Sequence, residues 1–280
     1  MMTKVIRKVA GSRWVQSPNW FWSFVLATLV SVVAYVFNLA LSEVDPGNIW
    51  GISYGTAASI LMAGAGLYAA RRRTLKFRGL GKSFSWVQFH VYGGALAFIL
   101  VLMHTGFRLP AGPMNWLLWI LSVWVTLTGL VGIGLQKWIP RILASGLAVE
   151  VVYERIPELV QQIKSQTEEL IETCSEPVRD FYRKNLAPAL VNPQSRFIYY
   201  IDITGGIQSR MVEFNYLRRF LSSSEKDALE RLEAAYKTKL ELDAHYTLQK
   251  ALRWWLYTHV PPSLVLLLLI IFHLYAVLYY

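Results

Sequence analysis

The sequence predicts an all-α membrane protein with five transmembrane helices and a mostly helical insert between the fourth and the fifth. Three observations predict it. The 280-residue chain is 54% hydrophobic, with a mean hydropathy of +0.35, which reads as a polytopic membrane protein and not a soluble basic one. Its apolar residues gather into runs of about 20, long enough to cross a bilayer core as helices. Four of its five histidines lie inside those runs, as two pairs of identical spacing.

The elements follow in order. Residues 1–19 form a basic lead-in carrying Lys4, Arg7, Lys8 and Arg13. Residues 20–136 hold segments one to four: Trp20–Leu41, Ile49–Ala70, Trp86–Phe107 and Asn115–Leu135, nearly free of charge and joined by short loops. The first is too long for a cleaved signal peptide, and Leu41-Ser42-Glu43 is a poor cleavage site. Residues 257–280 form segment five, with Pro261 and Pro262 in its first turns, where a helix is expected to bend near His259. Tryptophans and tyrosines crowd the segment ends, including Trp20, Trp116, Trp254 and Tyr279, as interfacial anchors do.

The insert 137–256 is too polar to span. Ile156, Leu159, Ile163, Leu170 and Ile171 recur at helical spacing, so 154–174 reads as an amphipathic helix. Phe197–Ile203 followed by Gly205-Gly206 reads as a short strand or hairpin. Ser222 with Glu225 three residues on is a capping-box start. Leu229, Leu232, Tyr236 and Leu240 then make one apolar face of a helix that can run on into segment five.

The net charge of +10 is a topology signal. The connection between segments two and three holds Arg71, Arg72, Arg73, Lys76, Arg78 and Lys82, whereas the two connections on the opposite side hold only Glu43, Asp45 and Arg108. The positive-inside rule therefore puts the N-terminus and the insert in the cytoplasm, with the chain in the inner (cytoplasmic) membrane. The basic cluster hugs membrane boundaries, so the partner it implies is membrane lipid and not nucleic acid. The single cysteine, Cys174, excludes a disulfide framework, CxxCH haem attachment and a self-contained iron–sulfur site.

His90 and His104 are 14 residues apart, and so are His259 and His273. Fourteen helical steps of about 100° return a side chain to within roughly 40° of the same face, about 21 Å further along the axis. Segments three and five are parallel in this topology, so His90 lies level with His259 and His104 with His273. A lone membrane histidine is more often a helix contact, but imidazoles in hydrocarbon are costly. Two matched pairs suit two stacked haems b, each held by one histidine from either helix, because a porphyrin leaves only two axial positions to the protein. Zinc or a di-metal site needs more ligands, commonly Cys or carboxylate, which the segments lack. Gly93, Gly94 and Gly106 would let a macrocycle approach the backbone, as would Gly64, Gly66, Gly129, Gly132 and Gly134, although close helix packing is the commoner reason for such glycines. Propionates need cations: Arg108 on the outer side; Arg72, Arg78, Lys82 and Arg253 on the inner.

These two helices resemble the haem-bearing pair of the dihaem cytochrome b of quinol–cytochrome c reductases, and those of ferric reductase and NADPH oxidase membrane domains. His104-Thr105-Gly106-Phe107-Arg108 is similar to the His-x-Gly-Arg exit of the first haem helix, with Arg one place late, and His259-Val260-Pro261-Pro262 to the His followed by Pro in the second. The likeness covers about 22 residues per helix and extends to segments two to five as a dihaem four-helix core. It implies bis-His haem b and transmembrane electron transfer. The Pro-Glu-Trp-Tyr motif of an outer quinol site is missing, as is GxGxxG, and the long insert matches neither family.

The function expected is a cytochrome b subunit of a larger redox complex. Its partners would be other subunits: a cytoplasmic flavoprotein or iron–sulfur protein on the insert, and a periplasmic cytochrome c or other redox protein outside. A second reading is a quinone oxidoreductase whose pocket draws on Tyr92, Trp254, Tyr257 or His245. A third is a non-redox membrane anchor, or a metal-binding or transport protein. His245, 14 residues before His259 but with no partner imidazole, reads as a solvated or interface histidine.

Overall fold

The computed structural model describes residues 18–73, 81–146 and 151–279, without the side chains of 70, 72, 73, 144–146, 223 and 224. Most of the basic lead-in therefore lies outside the described residues. Among those described there is no strand. The main helices are α1 (Pro18–Leu41), α2 (Ile49–Arg73), α3 (Ser83–His104), α4 (Pro113–Gly146), α5 (Ile156–Glu172), α6 (Glu176–Phe181), α7 (Ile203–Arg218) and α8 (Ser223–Tyr279).

Among the described residues, four helices are long and apolar enough to cross a membrane: α1, α3, α4 over Pro113–Leu143, and α8 within Glu225–Tyr279. That is the mark of a multi-pass membrane protein. The second expected segment is a helix of 25 residues. Its glycines, alanines and serines make it less apolar than the other four and let it lie closely along α3.

The chain divides into two compact units, one of Met1–Gly134 with Trp255–Tyr280 and one of Leu135–Trp254. In the first, Tyr54, Ala58, Leu100 and Met103 form a buried cluster backed by Tyr35, Leu61, Leu96 and Ile99. Its outward face is apolar, with Leu26, Val33, Leu130, Leu268 and Leu278 among the exposed residues, which suits lipid and not water. The bend expected at Pro261 and Pro262 does not end the helix, since α8 runs through both. Pro262 has no N–H for the carbonyl of Thr258, and the indole of Trp124 donates to that carbonyl instead, at 2.9 Å.

The second unit packs around Tyr182, Leu190, Tyr199, Phe214, Leu229, Leu232, Leu240 and Leu248. The amphipathic pattern of 154–174 becomes α5, which buries Ile156 and Val160 against Leu242. At the start of α8 the Glu225 carboxylate accepts from the Ser222 N–H at 2.9 Å and from its hydroxyl at 2.6 Å, half of a capping box. The hairpin expected at Phe197–Ile203 does not form. Phe197–Tyr200 is a 3₁₀ turn that buries Tyr199, and Asp202 caps α7 by accepting from the Gly205 N–H at 2.8 Å. The two glycines thus sit in a capped helical first turn.

Candidate functional site

The site lies within the first unit, where α2 and α4 flank the histidine-bearing helices α3 and α8. His90 and His259 face each other, ring centroids 6.2 Å apart and planes 81° to one another. His104 and His273, on the same two helices, are likewise neighbours. The structure thus brings together the pairs expected from parallel helices.

Each anchored imidazole holds its ring through Nδ1. That of His90 meets the Ala65 carbonyl at 3.0 Å, and that of His104 the Gly51 carbonyl at 2.8 Å. Carbonyls only accept, so both Nδ1 atoms carry the proton and both Nε2 atoms present a bare lone pair. His259 Nδ1 lies 2.9 Å from Thr128 Oγ1. The single Thr128 proton is directed at the Trp124 carbonyl, 2.8 Å away, so here too the imidazole donates and Nε2 is bare. An imidazole ligand is normally oriented in this way by what its other nitrogen binds.

Small residues make the approach possible. A Cβ on Gly55 would stand 2.9 Å from His104 Nδ1, and one on Gly132 only 2.1 Å from the Trp255 ring. That ring stacks on His259 with centroids 5.5 Å apart and planes 19° from parallel, and its N–H donates to the Thr128 carbonyl at 2.7 Å. On the other side Tyr68 packs against His90 at 5.4 Å.

The fit to haem can be tested on these distances. A metal–imidazole bond of about 2 Å and a nitrogen-to-centroid distance of about 1.1 Å put the centroids of two trans imidazoles about 6 Å apart. The 6.2 Å between His90 and His259 meets that requirement. Among the described residues no three His, Cys, Asp or Glu side chains converge as a bare metal ion would need, whereas an iron already held by a porphyrin needs only such a pair.

The other residues singled out from the sequence have these surroundings. Arg253 belongs to the second unit, where it pairs with Glu154 and lies 4.2 Å over Tyr153. Lys82 is exposed at the N-cap of α3. Arg78 and the side chain of Arg72 lie outside the described residues. Arg108 is exposed and lines an open depression of about 600 Å³ with Tyr35, Glu43, Val44 and Gly106. Gly106 serves the turn after His104, at φ 62°. Gly64 and Gly93 meet the ring of Phe89, Gly66 meets Leu267, and Gly129 meets His259, while Gly94 and Gly134 border open space. Of the residues suggested for a quinone pocket, Tyr92 packs against Phe24, Trp254 and Tyr257 are exposed, and His245 is buried in the second unit.

Gly51, Gly55, Ala65 and Thr128 escaped the sequence reading. The pair Gly51 and Gly55, one helical turn apart, was the available signal for a close approach.

No protein-family model, curated protein or solved structure matches the chain.

Proposed function

We propose that this protein is a dihaem b-type cytochrome that carries electrons across a membrane as a subunit of a larger oxidoreductase complex. The carrying observation is the His90–His259 pair, with centroids 6.2 Å apart and Nδ1 of each ring held by a neighbouring helix. His104 and His273 form the second pair. Haem iron, when bound by two such histidines, cycles between ferrous and ferric states without an open position for oxygen.

The residues supply position and insulation. Carbonyls of α2 and the Thr128 hydroxyl fix ring orientation, and the apolar helices keep water from the path between the two pairs. In this reading α2 is the fifth span. The Arg-rich connection and the unit Leu135–Trp254 face the cytoplasm of a cell whose inner membrane holds the chain, by the positive-inside rule. That unit is then the docking platform for a flavoprotein or iron–sulfur subunit, and a cytochrome c or similar carrier meets the outer face. The likeness to dihaem cytochromes b and to ferric reductase and NADPH oxidase membrane domains supports the same assignment.

The test is a reduced-minus-oxidised spectrum of the purified full-length protein with a pyridine haemochrome count. Two haems b per chain in a low-spin spectrum are expected. A colourless protein that stays colourless after haem reconstitution overturns the assignment and returns the histidines to helix packing.

A further inference from the structure

We propose that Thr128 is a positioning residue that lowers the redox potential of the haem held by His90 and His259, by accepting the Nδ1–H of His259. The inference rests on the haem assignment above.

Thr128 is held from three directions. Its hydroxyl proton goes to the Trp124 carbonyl at 2.8 Å, leaving an oxygen lone pair for the imidazole at 2.9 Å. Its own carbonyl receives the Trp255 indole N–H at 2.7 Å. Trp255 in turn stacks on His259, and Gly132 gives it the room to do so. The hydroxyl is β-branched and bonded back to its own helix, so it has no easy rotation away from the ring.

A hydrogen bond from the distal ring nitrogen makes an imidazole a stronger donor at the other nitrogen. A stronger axial donor favours the more positive ferric ion and lowers the potential. His273, the corresponding residue of the other pair, has no hydrogen-bond partner among the described residues. On the α8 side, therefore, one pair has an engaged ring N–H and the other does not. The two haems differ chemically although their histidines repeat at the same spacing.

Thr128→Val keeps the shape of the side chain and removes the acceptor. Thr128→Ser keeps the acceptor. Spectroelectrochemical titration of both full-length variants in detergent, with haem counts alongside, reads the two midpoints separately. In Thr128→Val one midpoint is expected to rise and the other to stay at its wild-type value, with the wild-type pattern restored in Thr128→Ser. Should Thr128→Val lose that haem, Thr128→Ala, which removes the hydroxyl without adding bulk, carries the same expectation. Two haems in place with unchanged midpoints in the Val or Ala variant overturn the role of Thr128 and leave the haem assignment intact. A wild-type protein without haem overturns both.

Discussion

The imidazoles of His90 and His259 cross at 81° with their centroids 6.2 Å apart. If both rings ligated one haem iron as proposed, that crossing angle would have them donate into perpendicular π-type d orbitals and leave these nearly equal in energy. The ferric protein is then expected to give a strongly anisotropic low-spin EPR signal. That signal should vanish in His90→Ala and in His259→Ala, and persist in His104→Ala. A rhombic spectrum for this pair would show that the rings lie parallel.

Gly55 sets how closely α2 approaches His104. A methyl group there would sit 2.9 Å from Nδ1, in the space of the hydrogen bond to the Gly51 carbonyl. Gly55→Ala is expected to cost one haem of the two, because the ring must turn or withdraw. Gly134→Ala, a helical position with open space around it, is expected to keep both. Haem counts per chain decide the matter, and a full complement in Gly55→Ala would mean that α2 does not orient the ring.

The legibility of this chain follows from what kinds of information its residues carry. Imidazole is rare in hydrocarbon, so His90, His104, His259 and His273 stand out, and helical periodicity puts them on facing stripes. Their anchors do not stand out. Two of them, on Gly51 and Ala65, are backbone carbonyls, which every residue has. The third is the hydroxyl of Thr128, one of two threonines in α4 and alike in sequence to the other. The partners of the cations are hidden for a related reason. Charge near a span end is common, and nothing local to Arg253 reveals that it pairs with Glu154, 99 residues earlier. The hairpin error came from reading Gly205-Gly206 as a turn when Asp202, three residues ahead of Gly205, caps a helix. α2 shows the reverse case, since the small residues that weaken its apolar signal are those that let it lie against α3.

The Trp124 indole and Pro262 form a compensating pair. Proline leaves the Thr258 carbonyl without its helical donor, and the indole N–H takes that place at 2.9 Å. Trp124→Phe is expected to destabilise the protein by about 1–2 kcal/mol, the cost of an unmet carbonyl away from water. In a Pro262→Ala background the helix recovers its own N–H, and the same substitution should cost much less. Thermal denaturation of the four proteins in detergent completes the cycle. An equal cost in both backgrounds would show that Trp124 acts through packing alone.

Tyr199 makes the second unit alkali-sensitive. Burial, reinforced by the nearby Asp243 charge, pushes its phenol from 10.0 up to about 12. The folded state therefore keeps a proton that the unfolded chain releases near pH 10. Its stabilising effect is complete below that pH and is lost as pH rises toward 12. Helical circular dichroism is expected to fall in this window, alongside the rise in tyrosinate absorbance. The Tyr199 hydroxyl has no hydrogen-bond partner among the described residues, so Tyr199→Phe should cost nothing at neutral pH and move the alkaline transition upward.

Lys239 and Asp243 form an ion pair at 2.6 Å with both side chains wholly buried. Burial pushes the Asp243 carboxyl above its usual range and the Lys239 amine below its own, while their mutual attraction opposes both shifts. Asp243 also accepts the Gln194 N–H at 2.7 Å, tying the segment before the 3₁₀ turn to α8. Lys239→Met should therefore be costly, about 3–5 kcal/mol, because it strands a buried carboxylate. The sign of its pH dependence follows: a lone carboxyl with a raised folded pKa loses stability as pH rises, so the deficit should shrink on acidification. Adding Asp243→Asn removes the stranded charge but keeps an acceptor for Gln194, and should recover most of the loss. Adding Asp243→Leu should recover less, because the Gln194 N–H is then left unmet at about 1–3 kcal/mol. Thermal unfolding of the three variants at neutral and acidic pH ranks them, and a Leu double variant as stable as the Asn one would mean that the contact to Gln194 holds nothing in place.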